Sequence, residues 1–200
     1  MIVELAINNL KSIMNRKGYS FFEKGEYNLN IIGVRSNIKI ANSFDDHLLC
    51  VYKSNSEWNI KVYTITTDAG RYWLKNPMNP KGTALVVPNQ YKGIYRLDKH
   101  LGQYTALCQR CGDIQVYRDN NRDMVLDFDP NNIDTGMFGI NIHRSNPSSE
   151  SNIVEKWSAG CQVFKKVKEF NEFINICELA SEKWGNKFSY TLLNEKDLKL

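Results

Sequence analysis

The stretch "HLLCVYKSNSEWNIKVYTITTD", His47–Asp68, decides the class of fold. Its two halves are rich in β-branched and aromatic residues, the composition of strands packed on a pleated surface. Ser54–Glu57 is a polar interruption between them, so the stretch reads as a hairpin. Hairpin spacing argues against a chain of alternating strand–helix units. No glycine-rich phosphate loop opens a helix anywhere, and a nucleotide-binding fold is rejected with it.

Working outward, strand-like segments recur on both sides. "YNLNIIGVRS" precedes the hairpin. "AGRYWLKNPMNPKGTA" follows it and, with its Gly and Pro residues, reads as a long connecting loop. "ALVVPNQYKGIYRLDKH" reads as two extended runs broken by Pro88 and Gly93, "YTALCQRCGDIQVYRD" as two strands around a turn, and "FGINIHRS" as one more. Helical spacing appears only near the ends. Val3, Ala6, Leu10, Ile13 and Met14 predict a helix over 3–16, stopped by Gly18. Phe164, Val167, Phe170, Phe173, Ile174, Cys177, Leu179 and Ala180 predict one over about 165–183, with "FSYTLL" as a last strand. The expectation is a single α+β domain over residues 1–200, a β-rich mixed sheet with an N-terminal and a C-terminal helix.

Composition bounds the function. The 200 residues are 42% hydrophobic and 24% charged, enough for one sizeable core. The net charge of +4 suits approach to an anionic polymer such as a bacterial wall. It forms no basic stripe with interleaved aromatics, so no nucleic-acid partner is expected, and "FKKVKEF" reads as the wet face of a helix. No apolar run reaches the length of a membrane span, and the first residues lack the pattern of a signal peptide, so no membrane insertion or secretion is expected. The five cysteines are sparse and odd in number, which suits a reducing compartment. Cys108 and Cys111 sit between strands rather than at the head of a helix. They have no second pair with which to hold zinc, and the reading is structural.

The chemistry concentrates near Cys161. His143 ends the strand "FGINIH", in which Phe138, Ile140 and Ile142 alternate with Gly139, Asn141 and His143, so the histidine points away from the isoleucines. A thiol attacks an acyl carbon as thiolate, and an imidazole can take its proton and return it to the leaving group. "SAGC" supplies small residues whose backbone N–H groups can surround an oxyanion, and Gly160 permits close backbone approach.

These residues carry a resemblance. "IHRSNPSSESNIVEKWSAGC" resembles the signature of the L,D-transpeptidases (YkuD-type catalytic domain), a strand-end His, a loop and a Ser/Thr-His-Gly-Cys turn. "VVPNQYKGIYRL" is similar to the family's Thr-Pro-x-Gly-x-Tyr element, with Pro88, Gly93 and Tyr95 in corresponding places. The match covers residues 84–164. "YWLKNP", "KGTALVVP", "VYRDNNRD" and "GINIHRSNP", in that order, also resemble a group of tailed-phage proteins.

The resemblance implies a sheet or sandwich core of the L,D-transpeptidase type and a cysteine-dependent enzyme acting on peptidoglycan stem peptides, in phage lysis or wall penetration. It would work from the cytoplasm of a bacterial host or from a virion. Cys161 is then the nucleophile and His143 the base and acid. The Arg144 backbone carbonyl orients the imidazole, Ser158 steadies the turn, and the N–H groups of Ala159, Gly160 and Cys161 form the oxyanion hole. Ala159 replaces the family's second histidine, and Gln162–Val163 replaces its usual polar residue after the cysteine. Both departures favour hydrolysis, as an endopeptidase or carboxypeptidase, over cross-linking. The alternatives are an L,D-transpeptidase proper and a non-catalytic virion or wall-binding module. A papain-like peptidase fits worse, because there the cysteine precedes its histidine and opens a helix.

Three further features are weaker. Asp119, Asn121, Asp123 and Asp127 occupy positions one, three, five and nine of a loop with hard-oxygen ligand spacing, and the Val125 carbonyl falls at position seven. Met124 and Pro130 stand where an EF-hand has Gly and Glu, so this is no EF-hand. The simple reading is a solvated turn, with a short calcium loop as the alternative; no cofactor is otherwise expected. Asp45, Asp46 and His47 make a poor metal set, because adjacent strand residues face opposite ways. Tyr72 and Trp73 have ring faces that stack on sugars, although large aromatics are more often core.

Overall fold

The computed structural model describes residues 2–199, the side chains of Ile2 and Val3 excepted, so the expected place of Val3 on the helix's apolar face lies outside the described residues. The elements run α1 Ile2–Arg16, β1 Asn30–Arg35, β2 Asp46–Ser54, β3 Glu57–Thr66, α2 Arg71–Lys75, β4 Thr83–Val86, β5 Gln90–His100, β6 Tyr104–Gln109 and β7 Ile114–Asp119. They continue with β8 Ile133–Gly136, β9 Ile142–Arg144, β10 Gln162–Phe164, α3 Val167–Trp184 and β11 Phe188–Asn194, followed by a 3₁₀ turn, Glu195–Leu198. The chain is α+β and strand-rich, as its pattern predicts.

The β2–β3 hairpin forms as read. Ser54 pairs with Glu57, and Asn55 and Ser56 carry φ of 53° and 64°, the two left-handed residues of a tight hairpin turn. Its alternation is used on both faces. Leu48, Cys50 and Tyr52 point into the main core, while Val51 and half-buried Leu49 meet Ile7 and Leu10 of α1. Helix α1 therefore covers the outside of the hairpin.

The main sheet closes on itself in the order β1-β11-β5-β6-β9-β10-β3-β2, an eight-stranded barrel rather than two stacked sheets. Closure rests on a parallel pairing of β1 with β11, Ile31 opposite Tyr190. The barrel is filled by side chains of its own strands and by Phe170, Phe173, Ile174, Ile176, Cys177 and Ala180 of α3. Rings of Tyr63, Phe164 and Phe173 pack at centroid distances of 5.2–6.1 Å.

Two local readings are corrected. The connecting loop after the hairpin contains the short helix α2. Gly93 does not break its strand: β5 runs continuously through it as an irregularity opposite β11, with φ +62° and its N–H bonded to Ser189 Oγ. Glycine accommodates the left-handed residue of such a bulge without strain. The strands flanking Cys108 and Cys111 part company, β6 staying in the barrel while β7 joins a separate sheet, β4-β7-β8. Cys108 is buried and Cys111 exposed, at a turn rather than a helix N-terminus. No described helix is long and apolar enough to cross a membrane.

Candidate functional site

Strands β9 and β10 are parallel neighbours, with His143 opposite Val163. The ladder continues one residue earlier, where the Gln162 N–H donates to the Asn141 carbonyl at 2.9 Å. Side chains alternate along each strand, so Ile142 and Phe164 enter the core while His143, Asn141, Val163 and Cys161 share the other face. His143 and Cys161 are diagonal neighbours on that face. Two residues along the strand and one strand across place their Cα atoms about 8 Å apart, within reach of two side chains.

His143 is buried and tightly held. Its Nδ1 lies 2.8 Å from the Arg144 carbonyl, which can only accept, so Nδ1 carries the proton and Nε2 is the basic nitrogen. The Tyr104 hydroxyl lies 3.3 Å from both Nδ1 and that carbonyl, and the Arg144 guanidinium sits 4.0 Å above the Tyr104 ring. Burial, with His100 and Arg144 nearby, pushes His143 down to about 3; the Arg144 carbonyl opposes this. The imidazole is neutral at physiological pH.

His100, at the end of β5, stacks on His143 with ring centroids 4.0 Å apart and planes 17° apart. Its own orientation is fixed by a chain of bonds. The Gln109 N–H donates to Asn141 Oδ1 at 3.0 Å, which leaves Asn141 Nδ2 to donate to His100 Nδ1 at 3.0 Å. His100 is therefore the tautomer protonated at Nε2. The Gln109 side chain also binds the segment leading to His143, accepting from the Phe138 and Ile140 N–H groups. His100, Gln109 and Asn141 escape sequence reasoning, because none belongs to a local motif and three strands must come together before they meet.

Cys161 is half-buried. Its sulfur accepts the Asn141 N–H at 3.4 Å, and its S–H is directed at the Gly139 carbonyl at 3.7 Å; it makes no hydrogen bond to His143. Burial pushes the thiol up to about 11, opposed by the Asn141 N–H. The resting pair is thus neutral thiol and neutral imidazole.

The turn before the cysteine is built around Ser158. Its hydroxyl donates to the Cys161 carbonyl at 2.8 Å and accepts the Gly160 N–H at 3.1 Å. The Gly160 N–H is occupied in this way, so the donors left over at the turn are those of Ala159 and Cys161. Gly160 has φ +121°, and a Cβ there would lie 2.5 Å from the Ala84 carbonyl oxygen. The position accepts only glycine without movement of the β4 backbone. Gln162 is fully buried; its Oε1 accepts from Tyr190 at 2.7 Å and its Nε2 donates to the Gly160 carbonyl at 3.3 Å. The loop leading into the turn is pinned by Asn42, which accepts the Glu155 N–H at 2.6 Å, and by the Trp73 indole, which donates to the Lys156 carbonyl at 3.1 Å.

Two clefts lie near the pair, although neither Cys161 nor His143 lines them. One, of about 220 Å³, is lined by Trp73, Met78, Arg118, Phe138, Ile140 and Ala159. The other, of about 400 Å³, is lined by Tyr104, Arg144, Pro147, Phe170 and Asn171, at the face of α3. Trp73 thus reaches a cleft wall, whereas Tyr72 lies under Lys156 at 4.3 Å. Asp46 is buried and bonded to Ser36 and Thr67, beside the Arg35–Asp68 ion pair, while His47 faces solvent, so the three residues 45–47 do not converge. Among the described residues no three His, Cys, Asp or Glu side chains already form a metal-ligating group.

No family model, curated protein or solved structure matches the chain.

Proposed function

We propose that this chain is a cysteine-dependent acyl-transfer enzyme of the L,D-transpeptidase (YkuD-type) kind, acting on peptidoglycan stem peptides and passing its thioester to water. The observation that carries the reading is the 2.8 Å bond from His143 Nδ1 to the Arg144 carbonyl. It leaves Nε2 as a base on the face that Cys161 shares. In the resting state the S–H is directed at Gly139. As a stem peptide enters, the thiol turns its proton toward Nε2. Sγ attacks the acyl carbon while Nε2 takes the proton. Burial opposes charge separation in the resting pair, holding the thiol up near 11 and the imidazole down near 3, so the proton moves only as the oxyanion forms and its charge is offset. The Ala159 and Cys161 N–H groups stabilise the tetrahedral oxygen. The imidazolium then protonates the departing amine; a water that gives its proton to the same nitrogen attacks the thioester, and Nε2 returns that proton to Sγ as the acid leaves, restoring the thiol. The cleft that touches the turn at Ala159 offers room for part of the substrate.

Hydrolysis is favoured over cross-linking because both side chains after the nucleophile are buried. Gln162 is committed to Tyr190 and Gly160, and Val163 offers no polar group to orient an acceptor amine. Action from a virion or from within a bacterial host fits such a lytic role.

A second reading, a non-catalytic wall-binding module, is favoured by one observation, the missing hydrogen bond between Cys161 and His143. Incubation with purified muropeptides separates them. The enzyme reading predicts new peptide fragments from the wild type, a loss of about 10²–10⁴-fold in His143→Ala and none from Cys161→Ala. Wall binding unchanged by both substitutions, with no fragments from any of the three proteins, supports the module. Fragments joined to an added acceptor peptide would indicate transpeptidation proper.

A further inference from the structure

Three buried side-chain oxygens among the described residues have no hydrogen-bond partner, the Tyr63 and Tyr95 hydroxyls and Asp119 Oδ1. Only the last belongs to a carboxylate. Asp119 is 1% exposed and ends β7, where the chain enters the loop 120–127. Its other oxygen accepts the Asp127 N–H at 3.1 Å. A buried carboxylate oxygen without a donor is costly, and native proteins supply it with a proton, a donor or a cation. Asp119, Asp123 and Asp127 take part in no ion pair among the described residues, and the nearby Lys81 and Arg118 are both engaged by Asp134. Lys39 lines the adjoining cleft without pairing to any of the three.

We propose that the loop 119–127 binds a calcium ion through Asp119, Asp123, Asp127 and the Val125 backbone carbonyl. The Asn121 Nδ2 lies 3.1 Å from Asp123 Oδ2 and 2.6 Å from Asp127 Oδ2, so these two oxygens already converge on one point. The ion takes that point as the amide turns aside, and draws in Asp119 Oδ1. The three carboxylates are not a finished chelate. Calcium tolerates six to eight oxygens in irregular geometry, which suits a loop that closes around it better than magnesium's strict octahedron. The Val125 carbonyl lies on the side of the chain that faces Asp123. Ile40 and Val125 form an isolated antiparallel bridge, in which the Met124 carbonyl and the Leu126 N–H face residues 39–41. Val125's own N–H and carbonyl therefore face the other way, and the N–H bonds Asp123 Oδ1 at 2.7 Å. A cleft of about 510 Å³, lined by Asn121, Asp127, Asp129 and Asn132, opens beside the loop and gives an ion access.

The test is thermal melting of EDTA-treated protein titrated with CaCl₂ or MgCl₂, alongside Tb³⁺ luminescence sensitised through Tyr117. Calcium at a hundredfold its dissociation constant should raise the wild-type melting temperature by about 5 °C, and calcium should displace Tb³⁺. Asp119→Asn should lose the shift while melting in EDTA no lower than the wild type, since the substitution removes an unmatched buried charge. Asp127→Asn, whose site is more exposed, should weaken calcium binding at least tenfold and serves if Asp119→Asn does not fold. A wild type that does not respond at about 10 mM calcium, beyond the weakest class of protein calcium sites, overturns the proposal. So does an equal response to magnesium, or a full response retained in Asp119→Asn or, where that variant does not fold, in Asp127→Asn.

Discussion

Two polar clusters, one along β9 and β10 and one in the loop after β7, are finished to different degrees. Around Cys161 and His143 the buried amides are bonded in a closed set: Gln109 to Asn141, Asn141 to His100, Gln162 to Tyr190 and Gly160. In the loop after β7, a buried carboxylate oxygen has nothing. Closure at the first cluster fixes two ring tautomers and a tight turn. The open valence at the second points to a ligand supplied from outside. Buried polar groups in one protein thus mark two kinds of site, one preorganised and one waiting to be completed.

Breaking the closed cluster should cost most. Gln162→Leu keeps the volume and removes both amide bonds, leaving the Tyr190 hydroxyl and the Gly160 carbonyl buried without partners. Denaturant unfolding should give a loss of about 3 kcal/mol, roughly 1–3 kcal/mol per orphaned group. An unchanged midpoint would mean that water replaces the amide and that the turn is not held from below.

Acid should reach the same cluster through His143. Its ordinary value of 6.5 falls to about 3 on folding, so the unfolded chain takes up a proton that the folded chain refuses. Its contribution to stability is fully present above pH 6.5 and is lost as pH falls toward 3, by at most about 1.4 kcal/mol per pH unit. The slope in urea unfolding from pH 6.5 to 4 should be shallower in His143→Gln. Equal slopes would place the imidazole in contact with water. The loop after β7 offers the smallest effect, since in chelator Asp119→Asn should change melting little or raise it slightly, and only added calcium should separate it from the wild type.

What the sequence discloses follows from how local each feature is. The hairpin at His47–Asp68 is legible because strand alternation and turn residues sit side by side. The barrel is not, since its closing pair joins Ile31 to Tyr190 from near the two ends of the chain. Gly93 suggests a break, yet a bulge against β11 absorbs it. At the site, His143, Ser158, Gly160 and Cys161 are visible as a spaced pattern. His100 is invisible, because its stacking on His143 exists only once β5, β6 and β9 lie in order. The pattern also suggests three N–H donors at the turn, whereas the Ser158 hydroxyl occupies that of Gly160. The spacing of Asp119, Asn121, Asp123 and Asp127 is equally visible, but its weight comes from burial, which no spacing reveals.

The most direct measurement of the central claim is the intact mass of the protein, acid-quenched seconds after mixing with stem-peptide muropeptides. A covalent thioester pair predicts an acyl adduct on the tryptic peptide that contains Cys161, accumulating in the wild type and absent from Cys161→Ala. Muropeptide cleavage by Cys161→Ala at the wild-type rate, or an adduct mapped to Cys111 instead, would contradict the account.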